Sequence, residues 1–170
     1  MTLSDFDILL KQLLDECVDK FLAFQETCYS FEEWFNWELY YKLSTNGFKA
    51  SPKPKYESIS RIKKYADISI ENFKEKNDAI LEVKLIHDST QDKWINEIDK
   101  DWSALQNEVQ NTKSKIGLQV LLMTSSESDI LNNWQEWLQK ICFWKEDPLC
   151  SVSVKKEEGE VLIMVWEIPG

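Results

Sequence analysis

Glu82 and Lys84 stand two residues apart inside "AILEVKLI" (79–86), an octapeptide of six apolar residues. On a strand, positions two apart project from the same face. Charges in a buried strand are costly unless something compensates them, so an acid and a base kept together there point to a task on that face. Fifteen residues before Glu82, Asp67 opens another β-rich run, "YADISIENF" (65–73), and the polar "KEKND" joins the two runs. Two such runs with a short polar link read as a hairpin. Asp67, Ser69 and Glu71 then share a face of the first strand, and Glu82, Lys84 and Ile86 share a face of the second. Opposed residues on adjacent strands have Cβ atoms about 5 Å apart, which would bring Asp67 and Glu82 together. Two carboxylates that close repel unless one is protonated or a cation lies between them. All-oxygen ligation of this kind suits Mg2+ or Mn2+. A metal-bound water can act as nucleophile, and Lys84 can orient that water or neutralise charge developing on a phosphate.

A phosphate substrate has to approach a protein of net charge −10. The charge is unevenly distributed. Residues 1–41 carry a balance of −7, residues 42–64 a balance of +6 and residues 65–170 a balance of −9. The basic run holds Lys53, Lys55, Arg61, Lys63 and Lys64 and leads directly into the strand of Asp67. These five residues are the candidate nucleic-acid contacts, and a solvated loop is the alternative.

Apolar periodicity supplies the elements that must position these groups. Leu10, Leu13, Leu14, Cys17, Val18, Phe21 and Phe24 recur at three and four, which predicts a helix over 4–27. "SFEEWFNWELYYKLS" (30–44) predicts a second, with Ser30 as N-cap and Gly47 past its end. Residues 48–64 hold prolines and read as an extended segment or edge strand. Trp94, Ile98, Trp102, Leu105 and Val109 predict a helix over 92–111. "KIGLQVLLMTS" (115–125) reads as a buried strand and 127–144 as a fourth helix. "CSVSVKK" (150–156) and "EVLIMVWEI" (160–168) close the chain as a second hairpin. The order predicts an α/β fold, a mixed central sheet flanked by helices, within a single domain of 170 residues.

Asp67 followed by Glu82-Val83-Lys84 on the next strand resembles the PD-(D/E)XK nuclease superfamily, the restriction-endonuclease-like fold. Ala66 stands where the motif's name has proline. Glu82-Val83-Lys84 is the only acid-x-lysine triplet in the chain. The helix-then-sheet order over 30–125 is similar to that family's core, with the first helix and the last hairpin as additions. The resemblance implies metal-dependent phosphodiester hydrolysis with Mg2+ or Mn2+. Asp67 and Glu82 would be ligands, the Val83 carbonyl a third, and Lys84 the base or electrostatic stabiliser. Many members carry an acid on the helix before the first strand, and Glu38, in a stripe with Phe31, Trp34 and Tyr41, is the candidate. The expected function is a nuclease acting on DNA as an endonuclease. The alternative is an inactive nuclease-fold module that binds proteins or nucleic acid. A homodimer or a partner protein is compatible with either.

Other residues read more plainly. His87 is expected at the surface of a strand end, and Trp134 and Trp137 in the core. Asp101 and Trp102 are candidates to approach the site. Cys17, Cys28, Cys142 and Cys150 occupy positions expected to be buried, with no zinc-type spacing, and suggest a reducing cytosol. The N-terminus lacks the pattern of a signal peptide, and no apolar run reaches the length of a membrane span.

Overall fold

The computed structural model describes residues 3–57, 64–74, 77–112 and 115–168. Its elements are α1 (Leu3–Gln25), α2 (Glu32–Thr45), β1 (Lys49–Pro52), β2 (Ile68–Lys74), β3 (Asn77–His87), α3 (Gln91–Asn111), β4 (Lys115–Ser125), α4 (Ile130–Asn133), α5 (Gln135–Leu138), β5 (Cys150–Lys156) and β6 (Gly159–Ile168). The six strands form one open sheet in the order β1-β2-β3-β4-β6-β5. Only β3 and β4 run parallel. A parallel pair needs a long crossover, and α3 supplies it. The expected mixed sheet flanked by helices is therefore present.

The sheet has two buried faces, and the strand sequences alternate to serve them. Ala79, Leu81, Val83 and Leu85 of β3 join Leu118, Val120 and Leu122 of β4 under α1 and α2. Ile80 and Ile86 of β3, with Leu121 and Met123 of β4, pack instead under α3 and the segment from Ile130 to Phe143. α1 contributes Leu10, Leu13, Leu14, Val18 and Phe21 from one stripe, and α3 contributes Ile98, Trp102, Leu105 and Val109 from another. Each such side chain stabilises the fold by about 1.5–3 kcal/mol on burial. Glu82 and Lys84 lie between Ile80 and Ile86, on the α3 face. They therefore interrupt an apolar row.

The expected helix over 127–144 is not continuous. It is two single turns, α4 and α5, followed by further turns. Asp129 adopts a left-handed backbone at φ 75°. The Asn132 and Asn133 side chains donate to the Asp129 carboxylate and the Ser128 carbonyl. Such local bonds compete with helix propagation. Trp134 and Trp137 are nonetheless buried and meet edge to face, as expected of core residues. Of the cysteines only Cys17 is buried. Cys28 and Cys142 are exposed and Cys150 is partly covered, all as free thiols. Their small apolar character misled the burial reading. Among the described residues no helix is long and apolar enough to cross a membrane.

Gly159 turns β5 into β6 at φ +142°, and a Cβ there would lie 2.1 Å from the Ser125 carbonyl oxygen. Gly159→Ala should lower the melting temperature by about 5 °C or more, since strain and a backbone clash both oppose it. Circular dichroism melts check this, and an unchanged midpoint would contradict the turn geometry.

Candidate active site

β2 pairs with β3 only as far as Ile68 opposite Leu81. One residue further, the Asp67 N–H still donates to the Leu81 carbonyl at 3.0 Å. Beyond that point no strand among the described residues pairs with this edge of β3, and two carboxylates take over its amides. The Val83 N–H donates to Asp67 Oδ2 at 2.9 Å, and the Leu85 N–H donates to Glu32 Oε2 at 3.0 Å. A strand residue's N–H and C=O leave by the same side, so the Val83 carbonyl opens onto this edge beside Asp67.

Glu82 and Lys84 project together toward α3, as their spacing predicted. Lys84 Nζ lies 3.1 Å from Asp101 Oδ2 of α3 and 3.5 Å from Glu32 Oε1 of α2. It also stands over the Trp94 ring, 5.4 Å from the centroid. Burial acts to lower its pKa, but Glu32 and Asp101 outweigh burial and hold it above the ordinary lysine value. Glu32 is held above the usual carboxylate range by burial, against the opposing pull of Lys84 and the Leu85 amide.

Glu82 is only 4% exposed. The Tyr56 hydroxyl donates to its Oε1 at 2.5 Å. Burial, then the negative charges of Asp101 and Asp67, push the Glu82 carboxyl up to about 8, although the Tyr56 bond pulls the other way. The Tyr56 phenol is pushed up in turn, by burial and by Glu82. Gln119 of β4 stands beside Glu82, donates to the Glu82 carbonyl at 3.2 Å and leaves its own buried oxygen without a hydrogen-bond partner among the described residues.

Two lysines of the basic run complete the cluster. Lys53 Nζ sits 3.2 Å from Asp67 Oδ1 and 3.5 Å from Glu33 Oε2. Lys64 Nζ sits 3.3 Å from Asp101 Oδ1 and over the Tyr56 ring. Lys55 is exposed, and Arg61 and Lys63 lie outside the described residues. Four covered carboxylates (Glu32, Asp67, Glu82 and Asp101), with the exposed Glu33 at the rim, thus meet three ammonium groups (Lys53, Lys64 and Lys84). A proton on Glu82 reduces the excess of negative charge.

The structure brings Asp67, Glu82, Val83 and Lys84 together, whereas two other expectations need correction. Glu38 is not part of the cluster. It stands nearly two turns beyond Glu32, on the α1 side of α2, where its charge, after burial, raises the pKa of the Cys17 thiol. The buried row of α2 is Phe35, Asn36, Leu39 and Leu43, whereas Tyr41 is 64% exposed. Glu32 flanks the true buried row and takes the place expected of Glu38. His87, expected at the surface, is 1% exposed and has no hydrogen-bond partner among the described residues on either ring nitrogen, and burial lowers its pKa. It continues the apolar side of β3 and is not available to a substrate.

Among the described residues no group of three or more His, Cys, Asp or Glu side chains is placed to hold a metal ion. The donors at the β3 edge are of another composition: two carboxylates and a backbone carbonyl, all hard oxygens that fit Mg2+ or Mn2+. The Glu82 carboxyl is raised first by burial and then by the negative charges of Asp101 and Asp67, and a proton relieves both costs.

This raised carboxyl has a measurable consequence for the metal-free protein. Between the unfolded value near 4.5 and the folded value of about 8, the folded state binds the extra proton. Stability therefore falls as pH rises through that window, by on the order of a few kcal/mol from this one group. Glu82→Gln should match the wild type near pH 4.5 and melt higher than it above pH 8 in EDTA. Melting curves of the two that stay parallel across this range would contradict the buried, charge-crowded placement of Glu82.

No protein-family model matches the chain, and no curated protein or solved structure matches it.

Proposed function

We propose that the open edge of β3 is the active site of a metal-dependent nuclease that hydrolyses phosphodiester bonds, acting on DNA as an endonuclease in a reducing cytosol. The observation that carries this reading is the convergence of Asp67, Glu82, the Val83 carbonyl edge and Lys84 where β2 leaves β3, as in the PD-(D/E)XK pattern that the motif resembles. Asp67, Glu82 and the Val83 carbonyl would hold Mg2+ or Mn2+. When bound, the ion supplies Lewis-acid stabilisation and a more acidic water. Asp67 keeps its Oδ2 on the Val83 amide, which fixes the direction of its other oxygen. Tyr56 fixes Glu82 through Oε1 in the same way, leaving Oε2 for the site. Such outer partners set the orientation of ligands.

Lys84 stays charged, because Glu32 and Asp101 favour its ammonium form. It therefore acts as a donor toward the water or the phosphate oxygens, stabilising charge that develops in the transition state. Glu32 and Asp101 hold the ammonium in place from two helices. Lys55 and the rest of the basic run steer phosphates toward an otherwise acidic molecule.

A second reading, an inactive module with this fold, draws on the fact that all four carboxylates already have protein partners. The two readings separate in a gel assay with single-stranded and duplex DNA and RNA. The nuclease reading expects cleavage in Mg2+ or Mn2+ and none in EDTA. Absence of cleavage on every substrate in both metals would favour the inactive module.

A further inference from the structure

Lys53 occupies an uncommon backbone position. It follows β1 and adopts φ +50° in the left-handed region, which L side chains rarely enter. The next residue is Pro54, and a following proline further disfavours helical conformations in its predecessor. A network around Asp67 maintains this strain. The Lys53 N–H donates to the Asp67 carbonyl at 2.9 Å, and the Ala66 N–H donates to the Pro54 carbonyl at 2.9 Å. The result is that the Lys53 ammonium is delivered onto Asp67 Oδ1. Asp67 Oδ2 is engaged by the Val83 amide, so Oδ1 is the oxygen that remains for a ligand. The side chain is about half exposed, at 47%, and can swing to solvent without opening the core.

We propose that Lys53 is the resident counter-ion of Asp67: its ammonium competes with a divalent cation for Oδ1 and, once displaced, binds a phosphate of the nucleic acid. This inference rests on the reading of Asp67 as a metal ligand. It makes metal binding and nucleic-acid binding cooperate, because the cation releases the lysine that the phosphate then takes. It also gives one substitution effects of opposite sign. A lysine that only contacts phosphate would leave metal affinity unchanged when removed. A lysine that only supports the fold would change the melting temperature and neither affinity in opposite directions.

The test uses the full chain and its Lys53→Met, Lys53→Arg and Asp67→Asn variants. Calorimetric Mn2+ titration should show Lys53→Met binding the ion about fivefold more tightly than wild type, as removal of a neighbouring like charge predicts. Lys53→Arg, which keeps the charge, should stay near wild type. Fluorescence anisotropy on a labelled DNA duplex in Ca2+ should show Lys53→Met binding more weakly, with a log–log salt slope shallower by about 0.9 for the one lost contact. If Lys53→Met melts below the assay temperature, Lys53→Gly replaces it, since glycine tolerates this backbone. Unchanged or weaker Mn2+ binding in the variant, with binding lost in Asp67→Asn, would overturn the counter-ion role and leave the proposed function standing. No Mn2+ binding by the wild type would overturn both.

Discussion

Glu82→Gln and Asp67→Asn should each reduce metal-dependent cleavage by on the order of a thousandfold or more, the loss expected when several kcal/mol of metal-borne stabilisation leave the transition state. Both changes are nearly isosteric. The amide oxygen introduced by Glu82→Gln can still accept from the Tyr56 hydroxyl, and that introduced by Asp67→Asn can still accept from the Val83 N–H. The hydrogen bonds that hold the edge in shape therefore persist, and the loss should come without unfolding. Glu82→Gln should even stabilise the metal-free protein at alkaline pH, because it removes a buried carboxyl pushed up to about 8. Single-turnover cleavage in saturating Mn2+ separates lost affinity from lost chemistry. Activity within a few-fold of wild type in both variants would remove Asp67 and Glu82 from the mechanism.

Lys84→Met should also lower the cleavage rate by about a hundred- to ten-thousandfold, the range attributed to a positioned acid–base or electrostatic group. Unlike the carboxylate variants, it should keep Mn2+ binding, since an ammonium is no ligand. Removing the cation leaves Glu32 and Asp101 facing each other without their shared partner. A lower melting temperature is expected for that reason. Lys84→Arg keeps the charge with a different donor geometry and should regain the stability but little of the rate. A Lys84→Met variant that melts lower yet cleaves at the wild-type rate would make Lys84 a structural residue.

Much of this site could be read from spacing alone. An eight-residue apolar run with Glu82 and Lys84 two apart fixes their common face, and the polar break at 74–78 fixes the hairpin that returns Asp67 to them. Those signals are local and survive folding. Glu32 was missed because the stripe Phe31, Trp34 and Tyr41 suggested that the whole row, and Glu38 with it, is buried. Phe31 is buried and Trp34 packs against the core, but Tyr41 is exposed, and the row buried along the helix itself is Phe35, Leu39 and Leu43. The sequence alone could have favoured that row, whose apolar residues repeat at four. Asp101, a candidate from the sequence, and Tyr56, which no local pattern marks, reach Lys84 and Glu82 only through tertiary packing across 17 and 26 residues. The basic run was legible as charge but not as geometry. Lys53 and Lys64 turn onto site acids, so the same lysines that suggest nucleic-acid binding also neutralise acids crowded into one cluster.

The most direct test is a crystal soaked in Mn2+ and measured for anomalous scattering at the manganese edge. One peak is expected at the bare edge of β3, about 2 Å from oxygens of Asp67, Glu82 and the Val83 carbonyl, with the Lys53 ammonium moved off Asp67. An edge without manganese at millimolar concentration, with Lys53 still on Asp67 and Tyr56 still on Glu82, would contradict the assignment of this edge as a metal-dependent active site.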